Sequence, residues 1–233
     1  MLRVRPIVFT PNVDAFSDLF TTLGLALIED APGWRVFAAD SGRVALHVAD
    51  EPTFEFSFEV GSISEFARRT AEAGTAAVVI DTADGPAAQV TAADGRTFLA
   101  YEAALRDTAP AEKGLAVLPI WYTPDLTAAS KVFTDIGARK RLSSDAGSWV
   151  DFTAKNGGLI AVHGADKVST ELAFEFSGDV KTLQERLQQS FVPSTLADEN
   201  HGRSLRLPNP DGGELRVNQW QEDLSGYTRN TAS

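Results

Sequence analysis

The chain has no cysteine among its 233 residues, which excludes disulfides, thiolate zinc sites and a cysteine nucleophile and fits a reducing cytoplasm. It is short of positive charge, with 21 Lys and Arg against 32 Asp and Glu and a formal charge of −11. The basic residues are scattered, so a phosphate backbone is disfavoured as partner and the acidity reads as solubility. No apolar run approaches a membrane span. The opening Met1-Leu2-Arg3-Val4-Arg5-Pro6 lacks the apolar centre of a signal peptide. No serine stands in a nucleophile-elbow pattern, and Gly157-Gly158 and Gly212-Gly213 lack the strand-loop-helix setting of a phosphate cradle. These absences lead to the expectation of a cytoplasmic protein without nucleic-acid or membrane partners.

What is present is a repeat. Pro6-Ile7-Val8-Phe9-Thr10-Pro11-Asn12 returns as Pro119-Ile120-Trp121-Tyr122-Thr123-Pro124-Asp125, a shift of 113 residues (119 − 6). Trp34 returns as Trp149, His47 as His163, Glu55 as Glu171 and Asp94-Gly95 as Asp211-Gly212. With 43% hydrophobic residues, there is apolar material for a core in each copy. The repeat divides the chain into a first domain over 1–105, a polar linker over 106–114, a second domain over 115–224 and a flexible tail over 225–233.

Within the first copy, Arg3 to Thr10 alternates like a strand. Val13, Phe16, Leu19, Phe20 and Leu23 form one helical stripe closed by Gly24. Leu126, Ala129, Val132, Phe133, Ile136 and Gly137 repeat that stripe at the same spacing. Strands follow around Leu25 to Glu29, Trp34 to Ala38 and Val44 to Val48. Phe54 to Val60 opens a second unit, with a helix capped by Ser62 and Glu65 and strands around Ala77 to Ile80, Ala87 to Thr91 and Thr97 to Tyr101. The second copy repeats the plan with strand Leu172 to Phe176 and a helix capped by Asp179. Each copy is thus a pair of β-α-β-β-β units.

Four such units, with helix ends at Leu23-Gly24 and Ile136-Gly137 and the Asn209-Pro210-Asp211-Gly212 turn before the last strand, resemble the vicinal oxygen chelate superfamily of glyoxalases, bleomycin-resistance proteins and extradiol dioxygenases. The resemblance implies an α+β fold of two tandem glyoxalase-like domains, each curling a mixed sheet around a cavity with helices outside. Metal-dependent members place a His or Glu on the first and last strand of each unit. Those positions hold Arg5, His47, Glu55 and Leu99 in the first copy, and Leu118, His163, Glu171 and Arg216 in the second. Two plausible ligands per copy fall short of the three of an open catalytic site, and Arg216 would repel a cation. The expectation is therefore a protein without a cofactor that binds a small organic molecule, aromatic or cationic, as a monomeric pseudo-dimer or a homodimer.

The candidate ligand-binding residues are His163, Glu171, Arg216, Trp149 and Asn218, then His47, Glu55 and Trp34. Each has a plainer reading: a hydrogen-bonded structural histidine, a solvated glutamate, a packed tryptophan. If each His and Glu pair faces one cavity, the carboxylate can accept a hydrogen bond from the imidazole. Glu59 and Glu175 also repeat, and several acids per cavity favour a cationic ligand. Arg216 and Asn218 against Leu99 and Tyr101 make the second cavity the more polar and the better candidate. The alternative is a metal-dependent lyase, isomerase or dioxygenase in which His47, Glu55, His163 and Glu171 are ligands. His201 has no counterpart and reads as a solvated loop residue.

Overall fold

Proline has no N–H to give a sheet ladder, and Pro6 accordingly splits the first strand into β1 (Leu2–Val4) and β2 (Ile7–Thr10). The computed structural model describes residues 1–104, 111–199, 202–221 and 224–230. After β2 come α1 (Val13–Leu23), β3 (Ala26–Ala31), β4 (Trp34–Ala38) and β5 (Arg43–Val48). The second unit holds β6 (Thr53–Glu55), β7 (Ser57–Val60), α2 (Ile63–Ala73), β8 (Ala76–Thr82), β9 (Gly85–Thr91) and β10 (Thr97–Glu102). The second copy runs β11 (Leu115–Thr123), α3 (Leu126–Asp135), β12 (Arg139–Ser144), β13 (Trp149–Thr153) and β14 (Leu159–Gly164). It ends with β15 (Ser169–Phe176), α4 (Val180–Gln189), β16 (Thr195–Glu199), β17 (Gly202–Pro208), β18 (Glu214–Gln219) and β19 (Tyr227–Arg229).

The second copy forms one nine-stranded mixed sheet in the order β16-β17-β18-β15-β11-β14-β13-β12-β19. Its centre is the antiparallel pair β11 and β15, from Leu115 opposite Phe176 to Tyr122 opposite Ser169. The first copy has the same plan, broken at Pro6 and opposite it at Phe56 into β3-β4-β5-β2-β6 and β1-β7-β10-β9-β8. Register is kept across the break, because Arg5 N donates to Ser57 O and Ser57 Oγ donates to Arg5 O, at 3.1 and 2.7 Å.

The helices start and stop where the sequence places them. Ser62, Asp125 and Asp179 accept hydrogen bonds from the backbone of α2, α3 and α4, and Gly24 and Gly74 close α1 and α2 in the left-handed region. The buried stripes of α1 (Phe16, Leu19, Phe20, Leu23) and α3 (Ala129, Val132, Phe133) face a single apolar core drawn from both copies. α1 packs on α4 and α2 on α3. Phe20 meets Phe174 at 5.9 Å, while Phe133 meets Phe56 at 5.6 Å and Phe98 at 6.2 Å. The helix-bearing faces of the two copies are therefore turned toward each other and their concave faces outward. No helix among the described residues is long and apolar enough to cross a membrane.

Backbone contacts tie the copies at the turn between β4 and β5. Ser41 N donates to Leu115 O, Val117 N to Ser41 O, and Gly158 N to Ser41 Oγ. Gly42 lies so close to Gly158 that a Cβ on it would stand 2.9 Å from the Gly158 Cα. At the other end, the repeated Thr-Pro-Asn motif reaches across the molecule: Thr10 Oγ1 and Asn12 Nδ2 donate to Asp211 Oδ1 at 2.6 and 2.9 Å.

Two segments depart from expectation. Of the polar stretch 106–114, residues 106–110 lie outside the described residues, and the remainder is docked: Glu112 N donates to Gly24 O and Gly114 N to an Asp40 carboxylate oxygen. The tail over 225–233 is not frayed where it is described, because Tyr227 to Arg229 pair with Leu142 to Ser144 as β19 and cover an otherwise open sheet edge. Residues 231–233 lie outside the described residues.

In the first copy Glu59 is 5% exposed, and it accepts from Arg3 at 2.7 Å and Arg43 at 3.0 Å, with Arg5 Nε at 3.7 Å. Glu59→Gln, which removes the charge that three guanidinium groups share, is expected to destabilise the fold by about 3 kcal/mol in urea titrations. Arg5→Leu leaves Glu59 two partners and is expected to change stability by less than about 1.5 kcal/mol. Phe133→Ala is expected to cost about 3–5 kcal/mol. It should do so within one cooperative transition seen by all probes, since the side chain joins both copies.

Candidate functional site

The second copy carries a cavity of about 540 Å³ on its concave face. Strand alternation sends Leu118, Ile120 and Tyr122 of β11 into it, with Trp149 and Asp151 of β13, His163 of β14, Glu171 and Glu175 of β15, and Arg216 and Asn218 of β18. His163, Glu171, Arg216, Trp149 and Asn218, the five second-copy candidates, thus line one space. Its floor is a small apolar cluster of Leu118, Ile120, Leu159, Ala161 and Ala173, separate from the main core.

His163 Nδ1 lies 2.8 Å from Gly164 O. A carbonyl only accepts, so Nδ1 carries the proton and the neutral ring keeps its lone pair on Nε2. The ring packs against Tyr122 at 5.3 Å and edge-on to Trp149 at 5.9 Å. Glu171 does not receive a hydrogen bond from the imidazole. Its carboxylate accepts from Tyr122 Oη at 2.5 Å, because β11 and β15 are neighbours and place the two side chains on the same face. Trp149 is half-buried as a cavity wall, its Nε1 donating to Asp151 Oδ2 at 3.2 Å.

A second polar centre stands on the other side. Arg141 donates to both oxygens of Asp151 and both of Glu175, at 2.7–2.8 Å, and its guanidinium lies over Trp220 at 4.9 Å. Burial works to lower the Arg141 pKa, but hydrogen bonds to Asp151 and Glu175 more than reverse this and hold it charged. The repeated acid Glu175 is therefore neutralised from within and adds no free negative charge for a cationic ligand. Sequence reasoning passed over Arg141 because the register of β12 shifts between Lys140 and Leu142, and a bulge breaks the two-residue period. The first copy has the same shift between Leu27 and Glu29, where Ile28 stands instead. Tyr227 was missed because it belongs to the expected tail. Tyr122 differed from Phe9 by a hydroxyl that the repeat did reveal.

The first-copy candidates do not converge in the same way. His47 repeats the imidazole geometry, with Nδ1 2.7 Å from Val48 O and the ring against Phe9 and Trp34. Glu55, however, is exposed beside a different depression that includes Leu99 and Gln89. Between these groups the concave face is filled by Arg5, whose guanidinium lies over Trp34 at 5.2 Å and over Tyr101 at 5.1 Å. Burial lowers the pKa of Arg5, opposed mainly by Glu59. Leu118, at the equivalent place, leaves the second cavity open. His201 lies outside the described residues.

Among the described residues no group of three or more His, Cys, Asp or Glu side chains is arranged to hold a metal ion. The second cavity offers two donors not already bound to arginine, His163 and Glu171. That is one short of an open catalytic site, so an ion there would take its other ligands from water or from an organic molecule.

At the level of sequence, no family profile and no curated protein matches the chain. Solved structures do match its fold. Homoprotocatechuate 2,3-dioxygenase from Arthrobacter globiformis is 14% identical with a TM-score of 0.66, over 94% of this chain and 78% of that one. The 2,3-dioxygenase LapB from Pseudomonas sp. KL28 is 15% identical with a TM-score of 0.63, over 94% and 91%. The Mn(II)-bound glyoxalase from Novosphingobium aromaticivorans is 17% identical with a TM-score of 0.62, over 93% and 80%. These neighbours overturn the expectation of a cofactor-free protein, since the fold is shared with a glyoxalase that binds Mn(II). The resemblance drawn from the repeat holds for the architecture: this chain has the α+β fold of the vicinal oxygen chelate superfamily, shared with extradiol dioxygenases and a glyoxalase.

Proposed function

We propose that the second-copy cavity binds a small planar organic molecule together with a divalent cation, and that the chain is an enzyme of the metal-using kind rather than a sequestering protein. The repeat units 1–105 and 115–224 then act as two domains joined by 106–114, with only the second carrying the site. The observation behind this reading is that His163, with its Nε2 lone pair free, and Glu171 line one cavity with Trp149. The dioxygenase and glyoxalase neighbours support the metal-using alternative over simple binding.

His163 Nε2 and a Glu171 oxygen are the residues that would hold the cation. When bound, the ion supplies Lewis-acid polarisation of a ligand oxygen. The chain's own residues supply the rest. Trp149 and the His163 ring give flat walls for an aromatic face. Tyr122 fixes the Glu171 carboxylate by donating its hydroxyl hydrogen bond at 2.5 Å. The floor of Leu118, Ile120 and Ala161 keeps water from the buried edge of a ring.

Calorimetric titration of the full chain with catechol, with and without Mn(II), tests the reading. Mn(II) is expected to tighten catechol binding to the wild type, and His163→Ala and Glu171→Ala are each expected to abolish that gain. Trp149→Ala is expected to weaken binding by roughly three- to tenfold, while His47→Ala leaves it unchanged. Catechol binding that ignores Mn(II) would remove the cation from the proposal. Binding that survives all three second-copy substitutions would place the site elsewhere.

A further inference from the structure

Among the described residues, every charged side chain in the second cavity is engaged within the protein except one. Arg141 serves Asp151 and Glu175, Glu171 accepts from Tyr122, and Arg203 pairs with Asp198 at 3.0 Å and Asp179 at 3.6 Å. Arg216, half-buried and lining the same space, has no ion pair or hydrogen bond from its side chain among the described residues. A half-desolvated guanidinium without an acceptor is costly. Its surroundings make the cost larger. Arg206 stands directly opposite on β17, and antiparallel partners project to the same face, so two guanidinium groups share one ladder position. Arg206 is drawn aside by Glu214 at 3.8 Å, which leaves Arg216 as the unmatched positive pole. Asn218, two residues along β18, lines the cavity beside it. The first copy has Leu99 and Tyr101 at these places, so this pole belongs to the second copy alone.

We infer that Arg216 is the receptor for a carboxylate on the ligand, so that the molecule bound in this cavity is a single-ring aromatic acid rather than a neutral or cationic compound. This rests on the proposal that the cavity binds an aromatic molecule and adds its charge and orientation. The planar fork of an arginine matches the two oxygens of a carboxylate. Arg216 sits level with Ala173 on the strand beside Glu171, roughly 8 Å from Glu171 between Cα atoms by strand spacing and rise. The ring then lies between the poles, its carboxylate at Arg216 and Asn218 and its far edge toward Glu171, Tyr122 and His163. A volume of about 540 Å³ accommodates one ring with its substituents.

The test is calorimetric titration of the full chain, without added metal, with 4-hydroxybenzoate, phenol and 4-hydroxybenzylamine. The acid is expected to bind roughly ten- to a hundredfold more tightly than phenol, and the amine most weakly. R216Q is expected to erase the difference between acid and phenol, and R216K to keep part of it, with circular dichroism and melting showing that both variants fold. Phenol and acid binding equally to the wild type, or an acid preference that survives R216Q, would overturn the carboxylate assignment and leave the aromatic cavity standing. If none of the three ligands binds, the carboxylate assignment falls, and if none binds with Mn(II) added either, the cavity reading falls with it.

Discussion

One constraint organises the molecule: two copies of a curled sheet bury their helix-bearing faces in a common core. Phe133 alone touches Phe56 and Phe98 of the first copy and Phe152 of the second, and it is fully buried. Because the apolar faces are spent on each other, the concave faces must look outward, each with its own small apolar floor. The interlocked turns add a geometric limit, since a Cβ at Gly157 would stand 2.8 Å from the Gly42 backbone nitrogen. Glycine at this crossing permits the approach of two backbones as well as the positive φ.

Much of this was legible because the chain repeats itself. The helical stripes, their caps and the strand order follow from spacing alone, and identical spacing in two copies removes most of the ambiguity of a single pattern. Alternation also placed the second-copy candidates on the cavity side. It could not say which acids would be free. Glu175 and Glu171 occupy the same face four residues apart, yet one is clamped by Arg141 and the other held by Tyr122. That difference arises from a bulge in β12 and from the pairing of β11 with β15, both of which are long-range facts. Pro6 is a further example: its effect on the ladder is local physics, while the matching interruption at Phe56 follows only once the partner strand is known. The edge strand formed by Tyr227 to Arg229 carries little apolar signal and depends on an exposed partner for its existence.

The same carboxylate position has been served differently in each copy. Glu59 gathers Arg3, Arg5 and Arg43, whereas Glu175 is met by a bulge arginine that also holds Asp151. In both, the acid is paired with guanidinium groups in a partly dry setting. The second copy builds this structural pair at one end of its cavity and leaves a different arginine unmatched at the other. A sheet that carries its own charge compensation, and among the described residues still leaves Arg216 without an ion pair, separates the groups that hold the fold from those that do not.

Arg5 carries this separation to its conclusion in the first copy. Seated between the rings of Trp34 and Tyr101, its side chain occupies the volume that the second copy leaves vacant by having Leu118 there. The two copies are thereby no longer equivalent: an arginine fills the concave face of one, and a cavity of about 540 Å³ opens on that of the other. What fills the first concave face is covalently part of the chain and does not dissociate.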